Sequence, residues 1–316
     1  MPQSHTLRTS VTALLQPPAG KFYRYGVQIT TPIICPPMAA ACGGALAAAT
    51  SAGGGFGIIG AGYYDAVKLA QEIDVAKHEL RKRLQPSASQ ESDDLPLPIG
   101  VGYLVWKLTQ INKGRAPTAS DPPDTSEGHK MIELMVKERC PAIWLSFGEP
   151  KDVRAWFEYA RAREEAASRS KEERMKLIIG AGNYKEVEQA ATLYKADIIS
   201  VTGGEAGGHG LADAPPLPAL LAEVKRNFAA KGIKPLPPLL GAGGLSDGAS
   251  LASIMALGAA GGVFGTRYLL TPQAQYTDKQ KKILLESTGE TLRTMAFDEA
   301  RGTTGWPKGV DGRGVF

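Results

Sequence analysis

Residues 201–210 read VTGGEAGGHG and set five glycines around one carboxylate, Glu205, and one imidazole, His209. The whole chain holds only four histidines. Glycine gives up side-chain packing and loses the most backbone freedom on folding, so such a run marks a backbone that bends sharply or approaches a ligand closely. His209 is the group here that exchanges a proton near neutral pH, which makes it the candidate general base. A loop histidine that serves only structure is the competing reading. Glu205, four residues earlier, is placed either to orient His209 or to cap a turn.

Two further glycine clusters have donor chemistry. In GAGGLSDG (241–248), Gly243 and Gly244 can present backbone N–H groups with no Cβ in the way, and a helix starting near Asp247 adds its positive end. In FGTRYL (264–269), Gly265 and Thr266 offer a second pair of donors and a hydroxyl. Together they read as a phosphate cradle. The stretch CPPMAA supplies Pro37, Met38 and Ala39, which are either a stiff, soft-walled lining of the same site or plain core filler.

These groups need a frame. Eight short apolar runs recur along the chain, at 32–39, 55–62, 98–105, 142–148, 176–182, 196–203, 238–244 and 261–269. They are continuous rather than alternating, as in parallel strands buried on both faces. Helical patterns separate them, at 44–52, 64–84, 129–139, 152–169, 184–195, 217–230 and 247–258. Eight such units predict an α/β fold, a (β/α)8 TIM barrel, with an open doubly wound sheet as the alternative. In such barrels the site lies at the C-terminal strand ends, and phosphate docks after strands seven and eight. The expected division is a barrel over 1–270, with an insertion around 105–130, and a C-terminal helical or lid segment over 271–316. Residues 85–97 and 109–128 are rich in Pro, Ser and Asp and are expected to be mobile, the second as a lid or a surface insertion. The Gly-rich WPKGVDGRG (306–314) is expected to fold back over the barrel mouth.

Composition excludes several classes. The net charge is +4, and no dense Lys/Arg patch interleaved with aromatics appears, which argues against a nucleic-acid partner. KHELRKR (77–83) and KQKK (279–282) read as solvated helix faces. Cys35, Cys42 and Cys140 match neither a disulfide framework nor a zinc spacing, so a reducing, cytoplasmic compartment and no metal are expected. No apolar run approaches the roughly 20 residues of a membrane helix. The first acidic residue is Asp65, which gives the N-terminus a faint leader-like character. Pro17, Pro18 and a strand near 32 leave little room for a removable segment.

In combination the blocks resemble the nitronate monooxygenase family, formerly 2-nitropropane dioxygenases, in its fungal-type branch. The resemblance runs from about residue 30 to 314 through PIICPPMAAACGGALAAATSAGGGFGIIGAG, LPIGVGYLVW, PAIWLSFG, GGEAGGHG, GAGGLSDGASLASIMALGAAGGVFGTRYL, LRTMAFD and WPKGVDGR, in that order. EAGGHG followed by GAGG and GTR carries most of its specificity. It implies an FMN-binding barrel that uses O2 to convert alkyl nitronates to carbonyl compounds and nitrite, working as a monomer or homodimer. By resemblance His209 is the catalytic base, Pro37, Met38 and Ala39 line the flavin, and Gly207 and Gly208 pass close to its ring. Gly243, Gly244, Gly265 and Thr266 would hold the phosphate.

Two positions depart from the family pattern. Members commonly carry glutamine where this chain has Thr202, and Gln or Lys near the end of strand five where it has Gly180. Both positions would face the flavin, so fewer polar groups would stabilise charge on the reduced cofactor. Two other functions stay open. One is an FMN-dependent enoyl reductase using NAD(P)H, whose family shares the EAGGHxG and GTR blocks. The other is a barrel without flavin chemistry, with a non-redox or binding role.

Overall fold

The computed structural model of the protein describes residues 10–315. The head of the leader-like stretch, residues 1–9, lies outside the described residues. Eight parallel strands close into a barrel: β1 (Ile33–Cys35), β2 (Phe56–Gly60), β3 (Gly100–Leu104), β4 (Ala142–Ser146), β5 (Lys176–Ala181), β6 (Ile198–Thr202), β8 (Leu239–Ala242) and β9 (Gly261–Val263). All eight fall inside the runs read from the sequence, and the seven predicted helices lie between them.

Helix starts follow from their caps. The Asp65 side chain accepts from Lys68 N at the head of Ala66–Leu84, Asn183 caps Tyr184–Thr192 in the same way, and Asp247 forms a reciprocal box with Ser250 at Gly248–Ala256. The helix Gly44–Ala52 lies on the outside of β2 because Gly57 lets it: a Cβ there would sit 2.0 Å from the Ala47 carbonyl oxygen. With Gly57 facing out, Phe56, Ile58 and Gly60 face the barrel interior. Register carries that face around through Gly60, Gly102, Trp144 and Ile178, then through Gly180 and Ser200, and then through Thr202, Ala242 and Val263.

The other end of the barrel is sealed by the N-terminal segment. Val11, Leu15 and Tyr23 are buried there, and a Cβ on Gly261 would meet Val11 Cγ1 at 2.7 Å. Arg24, 1% exposed, donates to Asp93, Glu138 and the Leu95 carbonyl. The stretches expected to be mobile thus carry bonds of their own. In the second, Asp121 accepts from Thr118 and Arg115 and meets buried His129, which also pairs with Ser126. Ser, Asp and Pro build local side-chain turns as readily as they signal disorder, and composition alone does not separate the two. Among the described residues no helix is long and apolar enough to cross a membrane.

A second sheet lies outside the barrel. Strands β7 (Gly208–Leu211), β10 (Leu292–Thr294) and β11 (Val310–Gly314) run antiparallel in the order β10-β11-β7, with His209 opposite Gly312. The glycine-rich stretch after β6 therefore leaves the barrel and starts a strand of its own, which the tail 306–314 joins.

Candidate active site

The C-terminal strand ends hold glycines of two kinds. Gly60 and Gly102 are required by packing: a Cβ at Gly60 would lie 2.5 Å from the Met38 carbonyl oxygen, and one at Gly102 would lie 2.2 Å from Pro37 Cβ. Pro37 is half-buried and lies against the interior face of β3 at Gly102, a place compatible with either role considered from the sequence. Ala39 is exposed on the turn that follows, where Cys42 N donates to Met38 O. Other glycines are not required by packing at all. A Cβ at Gly265 would meet only Met38 Sδ, at 3.8 Å; one at Gly207 only Thr266 Oγ1, at 3.7 Å; and one at Gly208 nothing within 4 Å.

Met38, Gly207, Gly265 and Thr266 thus gather around one open space. Gly243 (φ 122°) and Gly244 (φ 68°) border it with left-handed backbone, packed against Ala206 and Glu205. Glu205 does not reach His209; both its carboxylate oxygens accept from Leu217 N, at 3.2 and 3.0 Å, capping the helix Leu217–Lys231. A space lined by glycines that packing does not demand, beside the helix end at Gly248 and the Thr266 hydroxyl, fits a phosphate-bearing cofactor.

Thr202 ends β6 half-buried on the interior face. The space beside Gly180 is already taken: its Cβ would lie 2.8 Å from Ser146 Oγ and 3.5 Å from Trp144 Nε1. Trp144 Nε1 donates to Ser146 Oγ at 2.8 Å. An indole N–H and a hydroxyl from β4 thereby stand where a longer polar side chain on β5 would have reached.

His209 belongs to a second set of contacts. On β7 it shares a face with Leu211, whose side chain covers Gly182 just past β5, so His209 also faces the barrel end. Its Nε2 lies 2.8 Å from Asp298 Oδ2. Asp298, on the short helix Ala296–Arg301, is 3% exposed, and its Oδ1 accepts from Thr303 Oγ1 and Trp306 Nε1, each at 2.8 Å. Burial pushes the Asp298 carboxyl up, yet the bonds from His209, Thr303 and Trp306 outweigh it and hold the group below its ordinary pKa. An ionised carboxylate only accepts, so Asp298 offers His209 Nε2 an acceptor at hydrogen-bond distance.

Trp306 stacks on the His209 ring with centroids 3.6 Å apart and planes 10° off parallel. Its other neighbours are Trp106 at 5.7 Å and Phe147 at 5.1 Å, both edge-on, and Tyr63 meets Trp106 at 6.3 Å. Tyr63, Trp106 and Phe147 follow β2, β3 and β4, so an aromatic wall stands across the mouth from the glycine cradle. Phe147 holds φ 58°, a conformation uncommon outside glycine, and its carbonyl receives Trp106 N at 3.0 Å. Sequence reasoning named neither Asp298, Trp306, Trp144 nor Ser146 as site residues. The blocks LRTMAFD and WPKGVDGR held the first two, but no local pattern joins residues 89 positions apart.

The family model described as nitronate monooxygenase matches residues 132–306. The chain is 32% identical to nitronate monooxygenase npaC of Metarhizium robertsii over 87% of its own length and 70% of that protein. It is 26% identical to the nitronate monooxygenase of Neurospora crassa, over 90% and 72%. Among solved structures, FabK from Thermotoga maritima superposes with a TM-score of 0.62 at 22% identity, covering 91% of this chain and 71% of that one. The nitroalkane oxidase of Streptomyces ansochromogenes has the same score and identity, covering 91% and 77%. At that identity these two structures speak to the barrel alone. The chain belongs to the nitronate monooxygenase family.

Proposed function

We propose that the protein is an FMN-dependent monooxygenase that oxidises alkyl nitronates, or a related carbon acid, with O2. Family membership makes it a flavin-dependent oxidoreductase. The observation that favours FMN is the open glycine space at Gly207 and Gly265, with Thr266 and Met38 beside it. Backbone N–H groups of Gly243, Gly244 and Gly265 would hold the terminal phosphate, with Met38 and Thr202 against the ring system. A flavin held there would supply the electron acceptor for a carbanionic substrate, with O2 as the final oxidant.

The chain's own groups do the rest. For a substrate that arrives as a neutral carbon acid, His209 would remove the proton from carbon next to the electron-withdrawing group; a preformed nitronate has already lost it. Tyr63, Trp106, Phe147 and Trp306 exclude water from the developing anion and suit an apolar substrate chain. The Ser146 hydroxyl, whose oxygen accepts the Trp144 indole N–H and whose own proton is left to donate, supplies a polar group that Gly180 does not. A reducing, cytoplasmic setting suits the unbridged Cys35 and Cys42 sulfurs, 3.7 Å apart.

The test is anaerobic reduction of the purified, flavin-loaded protein by nitronates, enones and NAD(P)H. Rapid bleaching by nitronates, with slow or no bleaching by NAD(P)H, is expected. Bleaching by NAD(P)H followed by reoxidation with enones would replace this reading with the reductase one. A protein that binds no FMN would remove both.

A further inference from the structure

His209 alone does not specify which of its two nitrogens is the base, or what keeps that nitrogen free. Around it the structure places a buried carboxylate, a stacked indole and a glycine. Asp298 reaches Nε2 at 2.8 Å, Trp306 covers one ring face at 3.6 Å, and a Cβ on Gly312 would meet Nε2 at 3.4 Å. A methyl group at 312 would make ordinary van der Waals contact with the ring, so this position lines the imidazole without clamping it. Asp298 is in turn fixed by Thr303 and Trp306 through its other oxygen. The ring that Trp306 stacks on and the carboxylate that Trp306 binds are thus held by one side chain.

Resting on the reading of His209 as the base, we infer that Asp298 is its positioning residue: it keeps the proton on Nε2, so that Nδ1 carries the lone pair that takes the substrate proton. In the step itself the substrate C–H bond breaks, its electron pair stays on carbon, and the proton forms an N–H bond at Nδ1. The ring becomes an imidazolium whose charge is shared with the Asp298 carboxylate below and the Trp306 π-face beside it. Other charged or titratable groups around this pair are Arg293, which bonds Asp311 and the Ala206 carbonyl, and Tyr63, which feels the charges of Asp298 and Arg301. Arg293 has its own carboxylate partner, so Asp298 is the anion committed to His209.

The substitution Asp298→Asn tests this with a result dictated by the contacts. Thr303 and Trp306 both donate to one oxygen, so the amide keeps its oxygen there and turns its NH2 toward Nε2 of His209. His209 must then accept at Nε2 and carry its proton on Nδ1, the wrong tautomer for the base. Imidazole 15N NMR of the wild-type holoenzyme is expected to show a protonated Nε2 and an unprotonated Nδ1, and the Asn variant the reverse. The kcat/KM on neutral nitroethane is expected to fall about 10²-fold or more, by analogy with the same exchange in an Asp-His-Ser triad. Its pH profile should shift to lower pH, while turnover of preformed ethyl nitronate and flavin content change little. A wild-type ring protonated on Nδ1 overturns the inference whether or not the variant folds. So does an Asn variant with an unchanged pH profile and rate on nitroethane. His209→Asn is the separating control: if it turns over nitroethane normally, the base reading fails; if it is inactive there and Asp298→Asn is normal, only the role of Asp298 fails.

Discussion

Two glycines on this barrel are expected to respond in opposite ways to the same added methyl group. At Gly57 a Cβ would lie 2.0 Å from the Ala47 carbonyl oxygen and 2.4 Å from Ala47 Cα, both backbone atoms of a helix packed on β2. The helix must move away, and Gly57→Ala should cost about 1–3 kcal/mol as an overpacked core site does. At Gly265 the nearest atom is Met38 Sδ at 3.8 Å, ordinary contact, and φ is −99°, open to any residue. Gly265→Ala should leave the fold as stable or up to about 1 kcal/mol more so, because it restricts the unfolded chain. Its cost falls on the ligand. One or two charge-assisted bonds from backbone N–H to phosphate, each about 1.5–3 kcal/mol, are displaced. About 3 kcal/mol corresponds to roughly a hundredfold weaker FMN binding. The assay is paired: thermal melting of the flavin-free proteins, and fluorescence-quenching titration with FMN. Gly57→Ala should melt lower, and Gly265→Ala should melt normally and bind weakly. Wild-type FMN affinity in Gly265→Ala, or in the bulkier Gly265→Val, would refute the placement of the phosphate.

Three further outcomes follow from contacts already described. Trp144→Phe and Ser146→Ala should each alter the visible spectrum and lower the reduction potential of bound flavin with little change in melting; superimposable spectra would show that this pair does not reach the cofactor. His129 is fully buried, and burial holds its pKa below the ordinary value despite the opposing pull of Asp121. The unfolded chain therefore takes up the proton first, so stability present above about pH 6.5 declines as pH falls through and below that value. Hydrogen exchange over residues 115–130 should accelerate at pH 5 relative to pH 7.5 after correction for intrinsic rates, and equal protection would contradict this. Arg24→Met leaves Glu138 with Lys77 as its remaining cation and should cost about 3 kcal/mol, seen as a lower melting midpoint; an unchanged midpoint would show the Arg24 network to be neutral.

The barrel was legible because its strands are written as uninterrupted apolar runs ending in glycine, and its helices begin at Asp65, Asn183 and Asp247, residues that cap by local hydrogen bonds. The glycine clusters proposed for the cradle stood out by composition, and the structure adds that Gly243 and Gly244 hold positive φ. What sequence could not reach depends on distance along the chain or on filled space. Asp298 looks like any acidic residue in a short helix until the tail folds it under His209. Gly180 reads as the loss of a polar group, because only packing reveals Trp144 and Ser146 entering from the neighbouring strand. Glu205 was placed near His209 by spacing, yet the nearby Leu217 N at a helix start is the stronger claim on a carboxylate.

The sheet that carries His209 draws two of its three strands from residues after the barrel has already closed at β9. On the proposed reading the cradle comes from the barrel, while the carboxylate and the indole that hold His209 come from the stretch that follows it. Substitutions at Asp298 or Trp306 would act on the His209 ring and the aromatic wall, whereas Arg293, bonded to the Ala206 carbonyl, also reaches the backbone packed on Gly243. A lineage, or an engineer, exploring new substrates on this scaffold would find the mutable ground in that terminal hairpin and its small helix, while the barrel keeps its flavin chemistry in reserve.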